Sequence, residues 1–569
     1  MLNFKGIGVS PGIAMGHVLL IEKKDITIPK HLITDEEAVM EIEKFEAAKK
    51  GSMSQVEKII EKTKATMGAD KAGIFESQLE IINDPMFNDS VLDKVRNSKN
   101  NILHALEQAR DEFVAIFESM DDEYFRERTA DVKDVVNRVI NNALGINQNY
   151  FDNLDKDVIV VANDLTPSDT ASMDFNYVLG FATEIGGRTS HSSIMARSLE
   201  IPAVVGIGKS LFECRHDDYI ILDGEAGLLF VNPDEAIINE YKMKKEQFLA
   251  EKAILAELKE LPAKTTDGKV VELCANIGGA SDLKGAFNNG AEGVGLFRTE
   301  FLYMNNTNFP SEDEQFNVYK EVASQINVII RTLDIGGDKD LPYYEFEKEM
   351  NPFLGWRALR ICLDKTEIFK TQLRAILRAS AFGKIRIMYP MIISLEELRK
   401  ANSILAECKK ELSDEGTAYD EKIEAGIMVE TPAAAIMADL FIKEADFFSI
   451  GTNDLTQYLL AVDRGNEKVS KLYNTFNPAV LRAIKNIIDA SHKEGKWTGM
   501  CGEFAGEKKA AVLLLGMGLD EFSMSAISIP SIKKIIRGIS FESAKEIAEN
   551  TLKLSTAEEV EKYLSEVCK

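Results

Sequence analysis

The stretch GGRTSHSSIMARSLEIPAVVG, residues 186–206, sets His191 among hydroxyls, glycines and arginines where a helical pattern begins. Ser190 or Thr189 is a candidate N-cap. Either places His191 in the first helical turn, where unpaired backbone N–H groups and the positive end of the helix dipole favour an anion. An unperturbed imidazole titrates near about 6.5, and a dipole contribution of roughly 0.3–1 kcal/mol moves a pKa by under about one unit. The dipole therefore adds little to the neutral fraction at pH 7. Its larger effect is on a phosphoryl group once the ring carries one, with Arg188 or Arg197 as further donors. A lone histidine is more often structural than catalytic, but this crowd of hydroxyls, glycines and arginines favours a covalent nucleophile.

A second set of reactive side chains follows short apolar runs: Arg298 with Glu300, Arg331 with Asp334, Glu430, Asn453 with Asp454, and Cys501 with Glu503. Arg298, Arg331 and Arg464 can clamp phosphate oxygens in a forked geometry. Glu430 and Asp454 offer the one or two carboxylates that Mg2+ takes while keeping waters and substrate oxygens, and an oxygen-rich site tolerates Mn2+ as well. Such a site suits a small phosphorylated acid, whose transfer chemistry asks for positioning and charge neutralisation. Cys501, as a protonated thiol, can deliver a proton to an enolate carbon. Each residue also has a bland reading: Asp454 could cap the next helix, and Cys501 could be a small buried filler. Five strand ends converging on arginines and carboxylates favour the phosphate-and-metal site.

The elements that must position these groups follow from periodicity. Eight apolar runs (VVELCANIG, GVGLFRTE, VIIRTLDIGG, IRIMYPMI, AGIMVETP, FFSIGTND, WTGMCGE, DEFSMSA) alternate with helical segments, the pattern of a (β/α)8 TIM barrel over residues 262–569, with the site where the strands end. Upstream, β-like runs in residues 1–22 and 146–230 form one discontinuous α/β domain carrying His191. Residues 23–145, charged and helically periodic, form an all-helical insertion, and residues 231–261 a helical linker. The expected class is therefore α/β multidomain.

At 569 residues the chain is too long for one core. A net charge of −25 argues against nucleic-acid or anionic-membrane binding and leaves room for a basic protein partner. Six scattered cysteines without CxxC pairs suggest neither a disulfide framework nor a zinc site and fit a reducing cytoplasm. The opening MLNFKGIGVSPGIAMGHVLLIEKK lacks a basic leader, and no uncharged run reaches transmembrane length, so a cytoplasmic protein without membrane insertion is expected. AVVGIGKS has Ala203 where a Walker A loop has its first glycine, and GIGVSPG misses the dinucleotide spacing.

GIGVSPGIAMG, the His191 segment, GVGLFRTEFLYM, RTLDIGGDK, NPFLGWRALR, GTNDLTQYLLAVDRGN and GMCGEFAG together resemble the Enzyme I family of the bacterial sugar phosphotransferase system, the phosphoenolpyruvate-protein phosphotransferases. The resemblance implies that phosphoenolpyruvate binds in the barrel with Mg2+ and phosphorylates His191, on a swivelling α/β domain, for transfer to a histidine of the carrier HPr. It implies phosphoenolpyruvate contacts at Arg298, Arg331, Asn453 and Arg464, metal ligands at Glu430 and Asp454, a proton donor at Cys501, and Thr170 as a partner of the histidine ring. It also implies a homodimer through the barrel domain and HPr binding by the helical insertion, where AGIFESQLEIINDPMF is a candidate contact. A dikinase-like enzyme would need a further ATP-binding domain, which is not expected ahead of GIGVSPG, and the nitrogen-branch relative an added sensory domain. A phosphoenolpyruvate-binding sensor without turnover is the alternative from another class.

Overall fold

Val158, Val160 and Ala162 pack into one apolar core while Ile159 and Val161 pack into another. This strand is thus covered on both faces, as its unbroken apolar sequence requires. The structure, a computed structural model, describes all residues except 1, 22–27, 68, 119–122, 147–149, 152–153, 188–189, 200, 305, 338, 340, 342, 345, 467 and 569. The chain divides into two compact units, Met1–Ala250 and Glu251–Lys569.

In the first unit, β1 (Leu2–Lys5), β2 (Ile7–Ser10) and β3 (Ile13–Ile21) precede five helices: α1 (Asp35–Met67), α2 (Ala69–Asn83), α3 (Pro85–Arg96), α4 (Ile102–Glu118) and α5 (Glu123–Leu144). The chain then returns as β4 (Val158–Ala162), α6 (Pro167–Ser172), β5 (Val178–Thr183), α7 (His191–Leu199), β6 (Ala203–Val205), β7 (Tyr219–Asp223) and β8 (Leu228–Val231). One sheet holds all eight strands in the order β1-β8-β7-β3-β4-β5-β6-β2, with β3, β4, β5 and β6 parallel. His191 therefore follows the carboxyl end of a parallel strand, the side on which α/β sheets present ligands.

The helices pack around Phe45, Phe87, Val91, Leu106 and Val136. Within the candidate partner-binding stretch, Phe75 and Phe87 are buried core residues and Met86 is 74% exposed. The aromatic part of that stripe thus serves packing. Helix α6 is tied to the insertion by Ser168 Oγ donating to Asp134 Oδ2 at 2.7 Å.

Helix α8 (Glu235–Leu258) runs through the division between the units. The second unit is a closed barrel of eight parallel strands: β9 (Glu272–Ile277), β10 (Gly293–Arg298), β11 (Val328–Arg331), β12 (Ile385–Tyr389), β13 (Glu424–Val429), β14 (Phe448–Ile450), β15 (Thr498–Met500) and β16 (Glu521–Met524). Each apolar run read from the sequence supplies one strand. Register pairs Arg298 with Arg331 across β10 and β11, which sets both guanidinium stems at one end of the barrel.

Candidate active site at the carboxyl ends of the barrel strands

A cavity of 890 Å³ opens where the barrel strands end, and Arg298, Arg331, Glu430, Asn453, Asp454, Arg464 and Cys501 all line it. The strand order explains the convergence. Arg298 and Arg331 are the last residues of β10 and β11, while Glu430 and Cys501 come one residue after β13 and β15. Asn453 and Asp454 lie in the first turn of the helix Thr452–Leu460 that follows β14. The N-cap of that helix is Gly451, so Asp454 does not hold the capping position, and its Oδ1 is buried without a hydrogen-bond partner.

Arg331, Lys339 and Arg357 are held in place by buried carboxylates. Arg331 reaches Glu300 Oε1 at 2.5 Å through Nη2 and Asp334 Oδ2 at 3.0 Å through Nη1. Lys339 Nζ lies 2.9 Å from both of those carboxylates, and Arg357 Nη2 lies 3.0 Å from Asp334 Oδ1 and 3.6 Å from Asp454 Oδ2. Burial alone would raise the Asp334 carboxyl, but Arg331, Lys339 and Arg357 hold it far below the usual carboxylate range. The guanidinium Nε atoms of Arg331 and Arg357 are buried without a hydrogen-bond partner, as are Glu300 Oε2 and Asp454 Oδ1. Buried polar groups are rarely left unpaired, and these atoms are donors and acceptors that a charged ligand would satisfy.

Beside this cluster, Glu430 Oε1 accepts a hydrogen bond from Met391 N at 2.7 Å, with Met391 at a positive φ of 59°. Burial, then Asp454 and Asp334, push the Glu430 carboxyl up to about 8. Two carboxylates that repel one another in a buried wall, one with an unpartnered oxygen, are a donor set suited to a hard divalent cation. Mg2+ fits that donor set.

Family models agree with this division of the chain. Residues 252–541 match the PEP-utilising enzyme, PEP-binding domain; residues 5–128 match the N-terminal domain and residues 154–227 the mobile domain of PEP-utilising enzymes. Over 564 residues the sequence is 50% identical to the phosphoenolpyruvate-protein phosphotransferase of Haemophilus influenzae, covering 99% of this chain and 98% of that protein. The chain belongs to the phosphoenolpyruvate-protein phosphotransferase family. The family's Listeria monocytogenes member is 50% identical over 571 residues, 99% of this chain and 100% of its own. A solved structure titled as an NMR solution structure of Enzyme I (nEIt) shares 42% identity at a TM-score of 0.40, covering 43% of this chain and 99% of its own.

In the first unit, α7 begins at His191, as the sequence suggested; only the backbone of that residue is described, and Arg188 lies outside the described residues. The preceding Ser190 Oγ bonds to Gly187 O and to Ser193 Oγ, each at 2.9 Å, which fixes the turn before the helix. Arg197 is exposed on α7. Thr170 is buried, and its hydroxyl donates to Pro167 O at 2.9 Å within α6.

Lys339 and Arg357 are the cavity cations that strand-end reasoning missed. Both come from the long connection after β11. There Gly336 and Gly337 adopt φ of 86° and 74°, a left-handed pair that turns the chain back so that Lys339 meets Asp334. The readable signal was DIGGDK, a strand-end carboxylate followed by a double glycine and a lysine.

Two consequences of this geometry are measurable. A Cβ added at Gly451 would sit 2.8 Å from Glu430 Oε2 and 2.9 Å from Glu430 Cβ. Gly451→Ala should therefore push Glu430 aside and weaken Mg2+ binding by roughly 10-fold or more, read by calorimetric titration, with the fold intact by circular dichroism. Cys501 is 3% exposed, and burial pushes its thiol up to about 11. At pH 8 about one thiol in a thousand is then ionised, so iodoacetamide should modify Cys501 on the order of two hundred times more slowly than a free cysteine, by peptide mapping. The rate should climb about tenfold per pH unit up to that value. Fast labelling at pH 8 would contradict the buried, protonated thiol.

Proposed function

We propose that this chain takes the phosphoryl group of phosphoenolpyruvate onto His191, releases pyruvate, and passes the group to a histidine of HPr in the cytoplasm. The observation that carries the reading is the convergence of Arg298, Arg331, Arg464, Glu430, Asp454 and Cys501 on one barrel-mouth cavity. The arginines, with Asn453, hold the phosphate and carboxylate oxygens of the substrate. Glu430 and Asp454 would hold Mg2+, which neutralises charge on the transferring group; Mn2+ suits the same oxygen donors.

An imidazole nitrogen of His191 attacks phosphorus as the bond between phosphorus and the enol oxygen breaks. The bonding pair leaves with the oxygen as pyruvate enolate. Cys501 then gives its proton to the methylene carbon, completing pyruvate, and the thiolate recovers a proton from solvent. A thiol that burial keeps protonated is the form this step needs. Arg188, Arg197 and Thr170 are assigned to support the histidine before and after transfer. A histidine that serves two partners in turn must be delivered to each, and we assign residues 231–261 as the hinge between the α/β domain of residues 1–22 and 146–230, with its helical insertion at 23–145, and the barrel of residues 262–569. The barrel domain is also assigned the homodimer contact.

Mixing the chain with phosphoenolpyruvate and Mg2+ should release about one pyruvate per chain in a burst, with sustained turnover only after HPr is added. Release that does not scale with chain concentration, or that HPr leaves unchanged, would overturn the reading.

A further inference from the structure

The amino ends of the barrel strands, opposite the cavity, carry a second group of reactive side chains that the proposed reaction does not use. Parallel register pairs Glu521, first residue of β16, with Glu272, first residue of β9, and sets Ser523 beside Cys274. Glu272 and Cys274 are two residues apart and share a face of β9. One ligand atom from each of Glu272, Cys274 and Glu521 lies within 4.8 Å of the other two.

Independently of that clustering, Glu521 is 2% exposed and its Oε1 has no hydrogen-bond partner. Glycines on the neighbouring strand let these side chains close against its backbone. A Cβ at Gly295 would lie 2.4 Å from Glu521 Oε1, and one at Gly293 would lie 3.0 Å from Cys274 Sγ. The nearby cation, Arg386, is already engaged: its Nε lies 2.5 Å from Glu424 Oε2 and its guanidinium 4.8 Å from the centre of the Trp497 ring. A buried carboxylate oxygen with no donor, beside a thiol and a second carboxylate that reaches solvent, calls for a cation.

We propose that Glu272, Cys274 and Glu521 bind one thiophilic divalent cation, of the Zn2+ or Co2+ class, which staples the first strand of the barrel to the last. A thiolate with two carboxylates selects such ions over Mg2+, and the exposed side of Glu272 leaves a fourth position to water. Burial, with Glu521 and Glu272, pushes the Cys274 thiol up, and burial with Glu272 pushes the Glu521 carboxyl up to about 8. The thiol binds metal as its thiolate, so its proton leaves to solvent as the metal–sulfur bond forms. Because β16 and β9 meet only in the closed barrel, the ion binds the native state and stabilises it.

The test is a Co2+ titration of the full chain, chelator-stripped and held in excess Mg2+ to cover the oxygen site at the cavity. One equivalent should produce a thiolate-to-cobalt charge-transfer band and raise the melting temperature. Cys274→Ser and Glu521→Gln should each lose the band, with Co2+ affinity falling by at least roughly 10-fold. Glutamine matches the shape of the protonated carboxyl, so Glu521→Gln provides a folded variant if Cys274→Ser does not fold. Cys501→Ala, which removes the cavity thiol, should keep the band. Absence of the band in the wild type, or a band lost with Cys501→Ala and kept with Cys274→Ser, would overturn the proposal.

Discussion

Glu430→Gln should lower pyruvate release at saturating phosphoenolpyruvate and Mg2+ by about 10³-fold or more while leaving the barrel folded. The amide oxygen can still accept from Met391 N, as Glu430 Oε1 does at 2.7 Å, so the local hydrogen bond survives. What is lost is one of the two negative charges that hold the cation, and with it charge neutralisation worth several kcal/mol in the transition state. Stability should respond in a way that separates this effect from misfolding. In the metal-free wild type the native state holds the Glu430 proton up to about 8, whereas the unfolded chain releases it near 4.5. The native state thus binds more protons over that window, and its stability falls as pH rises from about 4.5 to about 8. Denaturant midpoints measured across this range should slope downward for the wild type and lose that contribution in Glu430→Gln. A variant with full activity, or an unchanged slope, would remove Glu430 from the metal wall.

Arg331→Met should cost both stability and activity, and the two losses should separate. Arg331 lies between Glu300 and Asp334 with all three side chains buried, so truncating it strands two carboxylates against Lys339 and Arg357 alone. Breaking a buried ion pair from one side costs ~3–5 kcal/mol, seen as a lower denaturant midpoint. Adding Glu300→Gln removes one of the stranded charges and should recover much of that stability. Activity should stay down by about 10³-fold or more in both variants, because the forked phosphate clamp is still missing. Arg331→Lys keeps the charge without the fork and should lie between them in stability while remaining far below wild type in kcat/KM. Recovery of activity in the double variant would mean that Arg331 serves the fold and not the substrate.

Much of this arrangement could be read from the chain before any coordinates. Strands such as β13, with Ala425 to Val429 buried, cover both faces and so appear as unbroken apolar runs whose first polar successor, here Glu430, marks the strand end. Barrel closure then brings those ends together, which is why Arg298, Arg331, Glu430, Asp454 and Cys501 were legible as a group. Lys339 and Arg357 were not, since they arrive from an aperiodic connection whose path depends on the Gly336–Gly337 turn. Phe75 and Phe87 looked available to a partner because helical periodicity locates an apolar stripe without saying what covers it. The Glu272, Cys274 and Glu521 group was hidden for a different reason: its two carboxylates start strands, where such residues read as solvated, and Glu521 joins the other two only through the pairing of β16 with β9.

Peptide mass spectrometry under alkaline conditions tests most directly whether the chain carries the phosphoryl group on His191. After incubation with phosphoenolpyruvate and Mg2+, the wild type should show one acid-labile phosphoryl group on the peptide containing His191, and His191→Ala should show none. A phosphoryl group on another residue, or an unmodified wild-type chain that still releases pyruvate, would contradict the account.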